Sequence, residues 1–267
     1  MTNPVKLFDK IDTVLLDLDG TIYLSDELIE GADTFLKELK AQGKECIFLT
    51  NNSSKNSDNY VEKLKKIGIR ASKEQIFTSG EATAIYLNNH FKYNNIYLLG
   101  TSELAQIFED YGYHVVKEED ENVDAVILGF DTGLTYDKLW RACELIAENK
   151  PYFATHPDLN CPLKDGKYKP DAGAIMACIE ASTGRKPIII GKPNSFMLES
   201  LEGKYGIKRE RTVMIGDRLY TDMKLAENTG IRGWLVFSGE TKPRDLRNNS
   251  IGYDLAFESV KELIQYI

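Results

Sequence analysis

Short apolar runs alternate with amphipathic stretches along nearly the whole of this 267-residue chain. The first run, TVLLDL (13–18), has the unbroken apolar character of a strand buried on both faces. In EGADTFLKELKAQG (30–43), Ala32, Phe35, Leu36 and Leu39 recur at the spacing that lines one face of a helix, and Gly43 is placed to cap it. ECIFLT (45–50) predicts a second strand, and SDNYVEKLKKIG (57–68) a helix ending at Gly68. Further strands are predicted at NIYLLG (95–100), DAVILGF (124–130), KPIIIG (186–191), RTVMIGD (211–217) and RGWLVFSG (232–239), with helical stretches between most of them. Apolar strands separated by helices imply parallel sheets covered on both faces, an α/β fold.

The middle of the chain stands apart. From about Ser79 to Arg185 it has its own strand–helix alternation, an acidic turn KEEDEN (117–122), and a long polar loop THPDLNCPLKDGKYKPD (155–171). That loop carries Pro157, Pro162 and Pro170 and suits an ordered functional element better than a linker. The acidic run reads as a solvated turn.

Composition narrows the function. With 42% hydrophobic and 28% charged residues the chain can bury a real core and suits an ordinary soluble protein. A net charge of −8 and a pI of about 5.1 disfavour nucleic-acid polymers and anionic membranes as partners, since both call for a basic surface. A small anionic substrate stays open, provided local cations or a metal overcome the global repulsion. Cys46, Cys143, Cys161 and Cys178 are scattered, with no metal-binding spacing, and read as reduced thiols. The N-terminal stretch MTNPVKLFDKIDT lacks the basic and apolar regions of a signal peptide, and no apolar run approaches the roughly 18 residues of a membrane span. A cytoplasmic location is the expectation.

In open parallel sheets ligands bind beyond the carboxyl ends of the strands. Four polar clusters stand at such ends: DLDGT (17–21), TNNS (50–53), GKP (191–193) and GDRLYTD (216–222). If the strands are neighbours, all four meet at one edge. Asp17 and Asp19, at i and i+2, would point to the same side and repel unless one takes a proton or a divalent cation binds. Mg²⁺ accepts one or two carboxylates together with waters and a phosphate oxygen. Gly20 lets the chain turn sharply. The plainer reading is one capping aspartate and one exposed one.

Thr50, Asn51 and Asn52 offer short polar side chains and backbone N–H groups that can cradle phosphate oxygens, although an ordinary Asx turn would look the same. Lys192 either neutralises a phosphate as a point charge or is one more solvated surface lysine. Pro193 is placed to open a helix whose N-terminus favours an anion. Asp217, directly after a buried strand, reads as a further metal ligand. Asp222 falls where the first turn of a helix is expected, and the helix dipole alone would account for it.

Taken together and in this order, DLDGT, TNNS, GKP and GDRLYTD resemble the four motifs of the haloacid-dehalogenase-like superfamily. The large insertion between the second and third motifs is similar to a type C2 cap, and TNNSS, GKPN and GDRLYTD are most similar to the NagD-like and p-nitrophenyl phosphatase branch. The resemblance spans essentially the whole chain. It implies a Rossmann-like parallel-sheet core (1–78 and 186–267) with an inserted α/β cap domain (79–185). By position, Asp17 would be the nucleophile and Asp19 the general acid/base. Thr50 and Asn51, with the Asn52 backbone nearby, would hold the phosphoryl group, and Lys192 would steady it and the Asp17 carboxylate. Mg²⁺ would be bound by Asp17, the backbone carbonyl of Asp19 and Asp217, with Asp222 ordering a metal-bound water or Lys192. Dehalogenating members lack the second aspartate, so Asp19 points to an alkoxide leaving group that needs a proton.

The resemblance implies a phosphatase acting on small phosphorylated metabolites, such as sugar phosphates, nucleoside monophosphates or p-nitrophenyl phosphate. Two alternatives remain at this point: a phosphotransferase or mutase, and a non-catalytic regulator that binds a phosphometabolite. Mutases of the superfamily usually carry their cap after the first motif, and a regulator would tolerate loss of Asp17 or Asp19. Substrate choice is expected in the cap, where His156 and Asp158 either reach a leaving group or serve the loop. Some relatives place a histidine where this chain has Cys161, which disfavours a vitamin B6-phosphate type of specificity. A cap-mediated homodimer is compatible with the resemblance. The GTSEL stretch (100–104) reads as a simple strand-to-helix turn, because no GxGxxG is present.

Overall fold

A computed structural model describes residues 7–117, 119–163 and 167–267. The first six residues of the N-terminal stretch, Glu118 of the acidic turn, and Lys164, Asp165 and Gly166 of the polar loop lie outside the described residues. The chain forms two compact units. One comprises the chain up to Thr50 together with Ser57–Phe77 and Leu201–Ile267; the other comprises Asn51–Asn56 and Thr78–Ser200.

The first unit is built on a six-stranded sheet in the order Leu255–Phe257, Arg232–Val236, Thr212–Gly216, Thr13–Leu16, Glu45–Thr50, Ile76–Thr78. Thr13–Leu16 pairs in parallel with Thr212–Gly216 on one side and Glu45–Thr50 on the other. The chain therefore leaves this first strand in one direction and later returns on its opposite side. Such a reversal opens a crevice at the carboxyl ends of the strands. Residues 13–16 and 212–216 are buried throughout, which is why they read as apolar runs without alternation. Helix Ala32–Ala41 packs its Ala32, Phe35 and Leu39 into the core, where the Phe8 ring meets Trp234 edge-on at 4.9 Å.

The second unit has a five-stranded parallel sheet in the order Ile188–Ile189, Tyr152–Ala154, Ala125–Leu128, Asn95–Leu99, His114–Val116. Its core joins Tyr97, Leu99, Val126 and Leu128 of the sheet to Leu145, Ile146, Ile175 and Ile179 of two helices, Tyr136–Ala147 and Ala172–Thr183. The polar loop forms a small antiparallel hairpin, Asn160–Pro162 against Tyr168–Pro170.

The α/β class is as the apolar pattern predicts, with three refinements. KPIIIG supplies a strand of the second sheet, because Ile188 and Ile189 pair with Phe153 and Ala154. Its helix begins at Ser195 rather than Pro193, after a turn closed by Asn194 N–H on Gly191 O at 3.0 Å. Asp222 lies in a π-helical turn, Leu219–Met223, where Met223 N–H reaches Arg218 O at 3.2 Å, and helix Lys224–Thr229 follows. Among the described residues no helix is long and apolar enough to cross a membrane.

Phe35 is fully buried, whereas its neighbour Leu36 is only partly covered. Phe35→Ala is expected to lower unfolding free energy by about 3–5 kcal/mol and Leu36→Ala by clearly less, as read from urea denaturation of the two variants.

Candidate active site

Three of the four strand-end clusters follow adjacent strands of the first sheet. Asp17 continues the ladder one residue past Leu16, its N–H donating to Ile215 O at 2.9 Å. The chain then turns: Leu18 O accepts from Ile22 N–H at 2.9 Å, and Gly20 holds a left-handed φ of 93°. One carboxylate oxygen each from Asp17, Asp217 and Asp222 lies within 4.8 Å of the others. Asp217 is 1% exposed; its Oδ2 accepts from Glu240 N–H at 2.6 Å, while its Oδ1 has no hydrogen-bond partner. Asp222, fully buried, accepts from Arg218 N–H at 3.1 Å.

Burial pushes the Asp217 carboxyl well above the usual carboxylate range, and the charges of Asp17 and Asp222 push it further. Burial works against the charge on the Arg218 guanidinium, but Asp17, Asp217 and Glu240 more than restore it. Asp19 is not part of this cluster. Its side chain reaches solvent, yet protein packs closely around the carboxyl head, and the lost hydration raises it above its ordinary value. Asp17 adds to that rise; Lys63 and Arg218 oppose it. Thr50 is buried at the end of the neighbouring strand.

This donor set fits a divalent cation. Several carboxylates converge, one buried oxygen lacks a donor, and an oxygen-only site is what Mg²⁺ accepts. Glycines make the crowding sterically feasible. A Cβ on Gly20 or Gly239 would run into the Asp217 carboxylate, and one on Gly216 into that of Asp222.

The remaining predicted residues lie in the second unit. Asn51 is buried, and its Nδ2 donates both to Lys192 O at 2.9 Å and to Asp158 Oδ1 at 3.1 Å. Asn52 Oδ1 accepts from Ser54 N–H and Oγ at 2.9 and 2.8 Å, the Asx turn that its sequence allows. Lys192 is 2% exposed and so is no solvated surface lysine. His156 is also fully buried, with its ring between Asp171 and Thr155, so it serves the loop and does not reach outward. Cys161 sits half-exposed on the hairpin.

Sequence reasoning overlooked Arg218 and the Ser238–Glu240 segment. Arg218 stands inside the GDRLYTD motif. Ser238 Oγ donates to Gly20 O at 2.7 Å, and Glu240 supplies the Asp217 contact. Both belong to SGE, the polar residues just beyond strand Arg232–Val236. The rule that singled out the other strand ends would have found this one.

A haloacid dehalogenase-like hydrolase family model matches residues 14–114, and a related HAD-hydrolase-like model matches residues 189–263. Phosphoglycolate phosphatase 2 of Arabidopsis thaliana is 32% identical over 288 residues, covering 99% of this chain and 96% of that protein. The 5'-nucleotidase YutF of Bacillus subtilis is 34% identical, covering 95% of this chain and 97% of its own. Among solved structures, the 4-nitrophenylphosphatase of Thermotoga maritima superposes with a TM-score of 0.91 at 48% identity, covering 97% of this chain and 98% of that one.

The raised Asp217 carboxyl makes a further prediction. Between the ordinary carboxylate value and the raised folded-state value, the folded protein holds the extra proton, so metal-free stability falls as pH rises through that window. Asp217→Asn should flatten this fall and raise the melting temperature of the metal-free protein at neutral pH. Any stabilisation by added Mg²⁺ should be lost in the same variant. Differential scanning calorimetry across pH, with and without Mg²⁺, checks both signs.

Proposed function

The chain belongs to the haloacid dehalogenase-like hydrolases and is a phosphatase, and on that premise we propose that it hydrolyses small phosphomonoesters through an aspartyl-phosphate on Asp17, dependent on Mg²⁺. The observation that carries this reading is the convergence of Asp17, Asp217 and Asp222 at the point where the first sheet reverses direction, with Asp217 Oδ1 lacking a donor.

Asp17 Oδ attacks phosphorus in line with the ester oxygen, so one P–O bond forms as the other breaks. This splits one difficult substitution into two easier ones. Asp19 gives its proton to the departing alkoxide; its raised carboxyl favours the protonated form that this step needs. The same carboxylate then takes a proton from the water that attacks the aspartyl-phosphate, releasing phosphate and restoring Asp17. Thr50, the backbone N–H groups of the Asn51–Asn52 stretch and Lys192 bind the equatorial oxygens. Stabilising charge there is most of what an enzyme can contribute to phosphoryl transfer. Asp17, the Asp19 carbonyl and Asp217 would hold Mg²⁺, with Asp222 beside them, and the bound ion supplies positive charge to the phosphoryl oxygens. The Asn51 side chain fixes the loop by bonding Lys192 O and Asp158.

The named substrates of the relatives are all small phosphate esters, and a compound of that class is the proposed substrate here. Release of inorganic phosphate from p-nitrophenyl phosphate, sugar phosphates and nucleoside monophosphates tests the reading. Release should require Mg²⁺, stop with EDTA, proceed without an acceptor alcohol and vanish in Asp17→Asn. Turnover retained by that variant would remove the nucleophile, and release only with an added alcohol would make the enzyme a phosphotransferase. Asp19→Asn is expected to slow alkyl phosphates more than p-nitrophenyl phosphate, whose phenolate leaves without a proton. Comparison of kcat on the two ester classes reads this directly.

A further inference from the structure

Strand Tyr152–Ala154 of the second unit runs on into Thr155 and His156, both fully buried. The His156 Nε2 lies 2.9 Å from Asp171 Oδ1, and that same oxygen accepts the N–H of Ala172 at 2.6 Å at the start of helix Ala172–Thr183. A carboxylate only accepts, so Asp171 fixes a hydrogen on Nε2 and sets the plane of the ring. The opposite nitrogen, Nδ1, faces two hydroxyls, Thr155 Oγ1 at 2.9 Å and Ser79 Oγ at 3.5 Å.

Each hydroxyl in turn holds the segment that follows Thr50. Ser79 Oγ donates its one hydrogen to Asn51 O at 2.5 Å, so toward Nδ1 it can only accept, and the ring that links Asp171 to Ser79 carries a hydrogen on both nitrogens. Thr155 Oγ1 bonds Ser53 Oγ at 2.9 Å, and Ser53 Oγ accepts Phe130 N–H at 2.9 Å. The Asn51 carbonyl and the Asn52 N–H share one rigid, planar peptide unit. Fixing that carbonyl therefore aims that N–H. No water is needed in this chain of contacts, and Gly191 presses against it so closely that a Cβ would meet Asn51 Oδ1 and Thr155 O.

We propose that His156, oriented by Asp171, is a positioning residue that aims the Asn52 N–H at the phosphoryl group through Ser79 and the Asn51 carbonyl. The inference rests on the assignment of this loop to phosphate under the proposed function. A buried histidine that only filled space would be replaceable by an apolar side chain of similar volume. This one joins a carboxylate to two hydroxyls, and both hydroxyls end on one loop.

The test uses the full chain with His156→Leu, Ser79→Ala and Asp171→Asn, and reads kcat/KM on p-nitrophenyl phosphate, orthovanadate binding by calorimetry in the presence of Mg²⁺, and Mg²⁺ binding without any anion. In His156→Leu, kcat/KM and orthovanadate affinity should both fall by about 10- to 100-fold, the scale of a small misplacement of a binding group. Mg²⁺ affinity should be unchanged. Ser79→Ala should have less effect in the His156→Leu background than alone, because the two act on one carbonyl. If His156→Leu does not fold, the pair Ser79→Ala and Asp171→Asn carries the same comparison. Folded variants with unaltered orthovanadate affinity, or with strictly additive losses, would overturn the positioning role while leaving an active wild type a phosphatase. A wild type that neither releases phosphate nor binds orthovanadate would overturn the function and the positioning together.

Discussion

The mutual repulsion of Asp17, Asp217 and Asp222 is the constraint around which the first unit is arranged. Two unit charges about 4 Å apart interact by ~4 kcal/mol at an effective dielectric near 20, and burial raises the penalty. The protein offsets only part of this, with the Glu240 and Arg218 backbone N–H groups and the charge of Arg218. The remainder appears as an Asp217 carboxyl displaced toward its protonated form and an oxygen without a donor. Such stored disfavour is found where a ligand completes the balance of charge. A cation at this point would answer the repulsion more fully than a proton, since its charge acts on all three carboxylates at once.

Position follows from topology. Thr13–Leu16 is flanked in parallel by the strands that end at Gly216 and Thr50, so their carboxyl ends lie side by side. The backbone must leave that edge without filling it. Gly20 turns with a φ open to few other residues, and Gly216 and Gly239 give up the space a side chain would take from the carboxylates. Loop and strand thus share one requirement: nothing larger than hydrogen where the charges crowd.

Much of this was legible in the sequence, for definite reasons. Strands 13–16, 45–50, 95–99, 125–128, 212–216 and 232–236 are long enough, and buried enough, to be seen as apolar runs. Ile76–Thr78, His114–Val116, Tyr152–Ala154 and Leu255–Phe257 are three residues each, too short for any period to show. Which sheet a strand joins is set by its partner in space, and KPIIIG carries no mark of pairing with Phe153 and Ala154. Asp17 and Asp217 were visible because a carboxylate is conspicuous after a buried run. The buried state of Lys192 and His156 was not, because burial of a polar residue depends on partners distant in sequence. Asp171 is 15 residues from His156, and Ser79 is 77.

The second unit separates what must stay fixed from what can vary. Both ends of the polar loop are pinned: Asp171 N–H donates to Leu159 O at 2.9 Å and Gly173 N–H to Asp158 O at 2.8 Å. Gly173 has no alternative there, since a Cβ would strike the Pro157 carbonyl. Between these anchors the hairpin exposes Leu159, Leu163 and Tyr168. Apolar side chains left in solvent make no contribution to the core, so their replacement disturbs little of the fold. A change at Tyr168 therefore leaves intact the hydrogen bonds from His156 to Ser79 and from Asn51 to Lys192 O. The hairpin can thus change its exposed surface while the buried hydrogen bonds keep the segment after Thr50 in place. What can vary and what stays fixed then rest on different residues of one unit, the first on exposed apolar side chains and the second on buried hydrogen bonds.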